Sequence, residues 1–562
     1  MAVNLPELSG GQLVVAALRA HGVEMGFSVA GESYLEVLDA LFDAPEIRLI
    51  TCRQEGGAAF MAEAYGKLTG KPGVLLVTRG PGACNASIGV HTAFQDSTPM
   101  VVLVGQVARH QIDREAFQEV DFRKMYAPLA KWVTQIDMAE RIPELLNQAF
   151  QVATSGRPGP VVVALPEDML RDTAAVGVVG PYRAVRAHPG SQDLAELRRL
   201  LAAAERPVVL VGGSGWDDPA CADIGRFIAA NDLPACCSFR RQDIVDNRLP
   251  GYLGDLGTGA APTLVARIKA ADLVLAVGAR IGEITSQSYS LLGIPDPGKT
   301  LIHIYPAAEE LGRVFRPTLA IQSGMPEIAA ALAALSPIPN PRWAAWRQEA
   351  RAEYEAGLQP TTITDSPALD LGRVMTWLRE RLPDDAIVTS DAGNLSGWPN
   401  RFLQYRRPGR QLGPTSGAMG YGVPAAVAAK LTHPDRIVVG FCGDGGFTMT
   451  GQELATSLAE GPGPIILLFN NAMYGTIRMH QERRFPGRIS GTALKNPDFP
   501  ALARAYGAFA AQVARTEEFA PAFEEAIAAR KAAVIELVMD PEMITTRTTL
   551  SALRRQAEAA KL

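Results

Sequence analysis

Two polar residues, each placed behind its own apolar run, are the positions in this sequence best suited to hold a metal ion. Asp444 lies in Gly443-Asp444-Gly445-Gly446 and Asn471 in Asn470-Asn471, with twenty-four residues between Gly445 and Asn470. Residues 436–441 read as a buried strand ending at the glycines, 452–459 as a helix and 464–469 as a second strand. Such a strand–helix–strand unit puts one carboxylate and one amide at the C-terminal ends of neighbouring parallel strands, where open α/β sheets bind ligands. Two hard oxygens suit Mg²⁺, which fills its other positions with phosphate oxygens and water. The glycines let backbone N–H groups approach a diphosphate at a helix start. Asp444 alone also fits a helix cap, and Asn471 alone a turn. It is the pair at this spacing that points to a metal–diphosphate site.

The elements that must position these groups fall into three blocks of alternating strands and helices. The first, 1–172, includes apolar strands at 73–78, 100–105 and 160–165. The second, 191–336, includes 207–211 and 273–277 and ends at a proline-rich stretch, 336–341. The third, 365–545, holds 386–389, the metal unit and a last strand at 533–538, and a polar helical tail, 546–562, follows as a cover over a site. A weakly patterned connector, 173–190, separates the first two. This alternation predicts an α/β protein of three doubly wound, parallel-sheet domains. The chain's 562 residues, 47% hydrophobic and 20% charged, suit a protein with large cores, and a net charge of −5 argues against a nucleic-acid surface. The six cysteines show no metal spacing and read as free thiols in a reducing compartment. No signal peptide or membrane-length apolar run is present, which together predict a cytoplasmic location.

The Gly-Asp-Gly and Asn-Asn pair resembles the signature of enzymes that use thiamine diphosphate with Mg²⁺. The resemblance implies that Asp444, Asn471 and the backbone carbonyl of Met473 hold the metal. It extends to Arg53-Gln54-Glu55-Gly56-Gly57-Ala58, which opens a helix through Leu68, and to Ala62-Glu63-Ala64-Tyr65-Gly66. Locally, Glu55 is also a first-turn acid favoured by the helix dipole. The family comparison makes it the cofactor-activating glutamate, hydrogen-bonded to the aminopyrimidine N1′. The segment 417–424 resembles the one that bends the cofactor, with Met419 beneath its two rings and the Gly417 carbonyl on the amino group. Asn394, in the loop 391–395, and Gly443, Gly445, Gly446, Tyr474 and Gly475 complete the implied cofactor contacts. Glu55 and the metal group lie in different domains. In this family the two halves of the cofactor are held by different subunits, so the resemblance implies a homodimer with active sites at the interface, often paired into a tetramer.

The whole chain is similar to the acetolactate synthase (large catalytic subunit) branch of that family. Residues 78–85, 104–107, 116–121 and 155–161 carry this likeness. Gln118 becomes the residue facing the reacting carbon, and Gly31, in the loop 30–33, joins Glu55 and Gln118 in the catalytic set. The implied activity is decarboxylation of a 2-oxo acid followed by carboligation. A simple decarboxylase, an acetyltransferase and a C–C lyase or hydrolase remain as alternatives, and a non-catalytic binding protein more remotely. Three departures bear on the second substrate: Glu32-Ser33 where synthases carry Gly-Ala, Gln54 in place of a histidine, and His480 in place of a tryptophan. Arg478 and His480 also fit a plain solvated helix face. FAD is bound by the middle domain of true synthases. Here 211–216 is only a glycine-rich turn, Ile281-Gly282-Glu283 replaces Phe-Asp-Asp, and His303 and Tyr305 replace acids, which weighs against FAD.

Overall fold

The computed structural model describes residues 5–360 and 368–560. The expected start of the third domain at residue 365 lies outside them, as do the first four residues of the first domain and the last two of the tail.

Three six-stranded sheets, every pair of neighbours parallel, account for the alternation seen in the sequence. In the first, the strand Met25–Ser28 lies between Arg48–Thr51 and Gly73–Val77, followed outward by Met100–Gln106, Pro160–Pro166 and Trp132–Gln135. The third sheet repeats this order: Gln411–Leu412, Ile387–Ser390, Val438–Gly443, Ile465–Asn470, Ala533–Val538 and Phe509–Val513. In both, consecutive strands diverge to opposite sides of the first, which opens a crevice at the carboxyl ends of the central strands. The middle sheet is ordered differently, with Pro207–Val211 flanked by Ala235–Ser238 and Leu273–Val277.

The central strands are continuous runs of Val, Ile and Leu because helices cover both faces of a parallel sheet. Strands 207–211, 273–277 and 533–538 match the sequence pattern residue for residue, and every residue of the first two is buried. Each sheet carries its own apolar core: Leu76, Val101 and Val163 in the first, Val209, Leu275 and Ile302 in the middle, Val439, Leu467 and Ile535 in the third. The connector is tied down at one end, where Thr173–Ala174 pairs antiparallel with Leu8–Ser9.

The three sheets are grouped into two compact units. One comprises the chain to Val185 with Val427–Thr432 and Thr450–Glu460; the other comprises Arg186–Ala426, His433–Met449 and Gly461 onward. A short segment of the third block therefore packs with the first. Of the helix expected over 452–459, residues 454–459 are α-helical and 452–453 belong to a 3₁₀ turn. Asp444–Thr450 is helical, Gly451–Glu453 is a 3₁₀ turn and Leu454–Glu460 is helical again. Among the described residues, no helix is long and apolar enough to cross a membrane.

Candidate active site

At the carboxyl ends of Ile387–Ser390, Val438–Gly443 and Ile465–Asn470 lies an open cleft with a cavity volume of about 210 Å³. Its wall contains all eleven residues that the sequence assigned to cofactor and metal: Asn394, Gly417, Met419, Gly443, Asp444, Gly445, Gly446, Asn471, Met473, Tyr474 and Gly475. Asp444 is buried, and its Oδ1 accepts from the N–H of Gly445 at 2.8 Å while Oδ2 accepts from Asn496 Nδ2 at 2.8 Å. Burial raises its carboxyl pKa. Among the described residues no cationic side chain pairs with it, so a bound cation would supply the missing countercharge. Asn471 Oδ1 accepts from the Met473 N–H at 3.2 Å, a turn that brings the amide oxygen and the peptide of residue 473 to one side of Asp444. One carboxylate, one amide and one peptide carbonyl form an all-oxygen donor set that fits Mg²⁺.

Beside the donor set, the ten-residue helix Gly475–Arg484 points its N-terminus at the cleft, offering unpaired backbone N–H groups and a positive dipole end to a diphosphate. Asn394 fastens the opposite wall to this helix: its N–H donates to Thr476 Oγ1 at 2.9 Å, and Thr476 Oγ1 donates back to Asn394 Oδ1 at 3.1 Å. Asp391, which sequence reasoning missed, pins the segment that carries Met419. Its Oδ1 accepts from the N–H groups of Ala392, Gly420 and Tyr421 at 2.8–3.3 Å. Its Oδ2 has no hydrogen-bond partner, and burial pushes the carboxyl up to about 6. Position 446 must be glycine, because a Cβ there would lie 1.9 Å from Asp391 Oδ2.

A helix of the tail packs on this helix. Leu550–Ala559 buries Leu550 and Leu553 against Met479 and Ile544, and Ile544 also lines the cleft. Glu482, nearly fully buried, accepts from Arg554 at 2.6 and 2.9 Å, from Arg478 at 2.6 Å and from the Gly487 N–H at 2.9 Å. Arg478 is thus committed to an ion pair and not to a solvated face, whereas His480 is exposed.

Glu55, Gly31 and Gln118 belong to the other unit. Glu55 begins the helix Glu55–Thr69, whose N-cap Gln54 accepts from the Gly57 N–H through its side chain. Asn85 Nδ2 donates to Glu55 Oε2 at 2.9 Å, so one carboxylate oxygen is held and the other is left for a partner. A second residue the sequence reading missed, Glu453, fixes this turn from the 450–460 segment. Its carboxylate is fully buried and accepts from the N–H groups of Arg53 and Gln54 at 2.9–3.2 Å and from Thr456 Oγ1 at 2.6 Å. A Cβ on Gly57 would sit 2.6 Å from Glu453 Oε1. Gln118 has φ +66, and its buried Oε1 has no hydrogen-bond partner; strain and an unmet acceptor of this kind gather at functional sites. Gly31 abuts Thr78, and its neighbours form one polar group: Ser33 Oγ meets Thr78 Oγ1 at 2.9 Å, while Arg79 pairs with Glu32 at 3.3 Å and Glu167 at 2.9 Å and donates to the Phe117 carbonyl at 3.3 Å.

Side chains pack into the middle sheet's crevice. At its switch point Trp216 Nε1 donates to the Gly212 carbonyl at 2.8 Å. The Trp216 indole and the Met325 sulfur fill the space beside Gly278. His303, in place of a ribose-binding acid, is buried, meets the Ala279 carbonyl through Nε2 at 3.0 Å, and has its pKa lowered by burial.

Comparison with known proteins agrees with this arrangement. Residues 8–125 match "Thiamine pyrophosphate enzyme, N-terminal TPP binding domain", 194–332 the central domain and 391–537 the "C-terminal TPP binding domain" of the same family. The chain belongs to the thiamine pyrophosphate enzyme family, within its acetolactate synthase large-subunit branch. It is 33% identical over 523 residues to acetolactate synthase isozyme 2 large subunit of Escherichia coli, covering 92% of this chain and 93% of that protein. It is 30% identical over 556 residues to a probable acetolactate synthase large subunit of Methanocaldococcus jannaschii, covering 95% and 92%. Against the acetolactate synthase large subunit of Lactococcus lactis it is 32% identical over 521 residues, covering 89% and 87%. The chain is therefore a thiamine diphosphate-dependent enzyme.

Proposed function

We propose that this enzyme decarboxylates a 2-oxo acid and joins the retained acyl unit to a second carbonyl compound, in the manner named for its relatives, with Mg²⁺ as the metal. The observation that carries this reading is the single cleft in which Asp444, Asn471 and Met473 meet Met419 and the N-terminus of Gly475–Arg484. When bound, thiamine diphosphate supplies a nucleophilic carbon and an electron sink for the CO₂-releasing step. Asp444, Asn471 and the Met473 carbonyl would hold the metal. The N–H groups of Gly446 and Gly475 would face the diphosphate, with Gly443, Gly445, Asn394 and Tyr474 beside it. Met419 would support the bent cofactor and the Gly417 carbonyl its amino group. Glu55, oriented by Asn85, would exchange a proton at the pyrimidine ring, and Gln118 and Gly31 would border the reacting carbon.

We infer that the complete site forms at the interface of a homodimer, the arrangement the family resemblance implies, with a tetramer as its further assembly. Six unpaired cysteines, five of them buried, favour a cytoplasmic setting. FAD has no part in this proposal.

A second reading keeps the donor chemistry and changes the acceptor. It is favoured by the Glu32–Arg79–Glu167 group next to Gly31, which puts a half-exposed carboxylate where synthases carry small residues. The test of the shared chemistry is Glu55→Gln. Turnover of pyruvate should fall by at least about a hundredfold while thiamine diphosphate affinity stays within a few-fold. Near-wild-type turnover sinks the assignment.

A further inference from the structure

Away from the cofactor cleft, a small cavity opens to the surface where the strand Tyr252–Leu256 ends against the helices Ala344–Gly357 and Gly397–Phe402. Its polar groups are unbalanced. Asn400 is buried; its Oδ1 accepts from Gln411 Nε2 at 3.2 Å and its backbone carbonyl from Gln242 Nε2 at 2.8 Å, which fixes the amide orientation. Its Nδ2 has no acceptor among the described residues. A buried amide donor without a partner is costly unless something meets it.

Charge points the same way. Three arginines line the cavity, and only Arg267 is neutralised, by Glu353 at 2.6 Å. Arg401 and Arg547 spend donors on backbone carbonyls, those of Gly357 and Gly259 among them, and among the described residues have no carboxylate in salt-bridge contact. Burial, and then the neighbouring charge of Arg547, lowers Arg401 to about 10. Of the described acids lining the cavity, Glu353 pairs with Arg267 and Asp255 faces the Arg401–Arg547 pair, and burial pushes the Asp255 carboxyl up to about 7. Leu253, Leu264 and Ala350 supply apolar wall.

We propose that this cavity binds a small organic carboxylate, its oxygens received by Asn400 Nδ2 and the Arg401 and Arg547 guanidinium groups and its carbon body set against Leu253 and Leu264. Planar, bidentate recognition by arginine suits a carboxylate, and the apolar wall excludes a free inorganic ion as the natural fit. Asp255 becomes a hydrogen-bond donor when protonated, so binding strengthens as pH falls through about 7. The site is distinct from the cofactor cleft, so it does not depend on which acceptor the enzyme uses.

The experiment is calorimetric titration of the holoenzyme, loaded with thiamine diphosphate and Mg²⁺, with malonate and separately with inorganic phosphate. Malonate should bind, and Arg547→Gln should weaken it by about tenfold to a hundredfold, the worth of one charge-assisted hydrogen bond. Arg547→Lys keeps the charge and guards against a folding defect; it should weaken binding by a smaller factor. Absence of malonate binding, malonate binding indifferent to both Arg547 variants, or binding of phosphate without malonate would each overturn the proposal.

Discussion

Removing the Glu482 carboxylate should release the C-terminal tail from the helix that faces the cleft. Two guanidinium groups and a backbone N–H surround this buried side chain, and the hydrogen bonds from Arg554 hold its pKa at about 2, against an ordinary 4.5. A folded-state value below the unfolded one means stability that is present above about pH 4.5 and lost as pH falls toward 2. The difference corresponds to about 3 kcal/mol at neutral pH. Because the network joins the helices 475–484 and 550–559 and the turn at Gly487, the loss should be local and not global. A chain of several domains does not unfold in one step, so a single melting temperature would dilute the effect. Amide hydrogen exchange resolves it. In Glu482→Gln at pH 7, protection across 550–559 should drop by about a hundredfold, while the strands 207–211 and 273–277 keep theirs. The gap between variant and wild type should narrow below pH 4.5. Protection unchanged within about threefold would refute the clamp, leaving only the apolar contacts of Leu550 and Leu553 to hold the tail.

Three further outcomes follow from the same geometry. Glu453→Gln replaces a two-oxygen acceptor of the Arg53 and Gln54 N–H groups by a single oxygen; it should destabilise the start of the Glu55 helix by about 1–3 kcal/mol and lower kcat more than it raises KM, read by steady-state kinetics beside exchange at 55–59. Asp391→Asn removes a carboxyl whose folded pKa is raised to about 6; the wild-type penalty is absent below about pH 4 and complete above 6, so the variant should melt higher than wild type at pH 7, by up to about 3 kcal/mol, and equally at pH 4. Gly446→Ala places a methyl against Asp391 and should abolish activity, and normal turnover in it would contradict the packing described.

The sheets were legible because buried parallel strands are unbroken runs of β-branched and aliphatic residues, as in Leu273–Val277 and Ala533–Val538. The polar residues behind Gly443 and Asn470 were legible because they interrupt such runs at fixed spacing. The short helix Asp444–Thr450 was not, since two glycines in its first turn speak against helix and tertiary packing overrides them. Glu453 and Asp391 were hidden for another reason. Each acts on backbone N–H groups far away in sequence, Glu453 some 400 residues from Arg53, and nothing in the local pattern of a helix-forming glutamate or a post-strand aspartate marks such a partner. Gln118 was assigned by likeness; its positive φ and unpaired Oε1 became visible only with the fold.

The most direct measurement is the product that purified protein makes from pyruvate with thiamine diphosphate and Mg²⁺, followed by NMR. The account predicts acetolactate with release of CO₂, dependent on both additions and lost in Glu55→Gln. Acetaldehyde as the sole product would contradict the carboligase reading and place the enzyme among the decarboxylases.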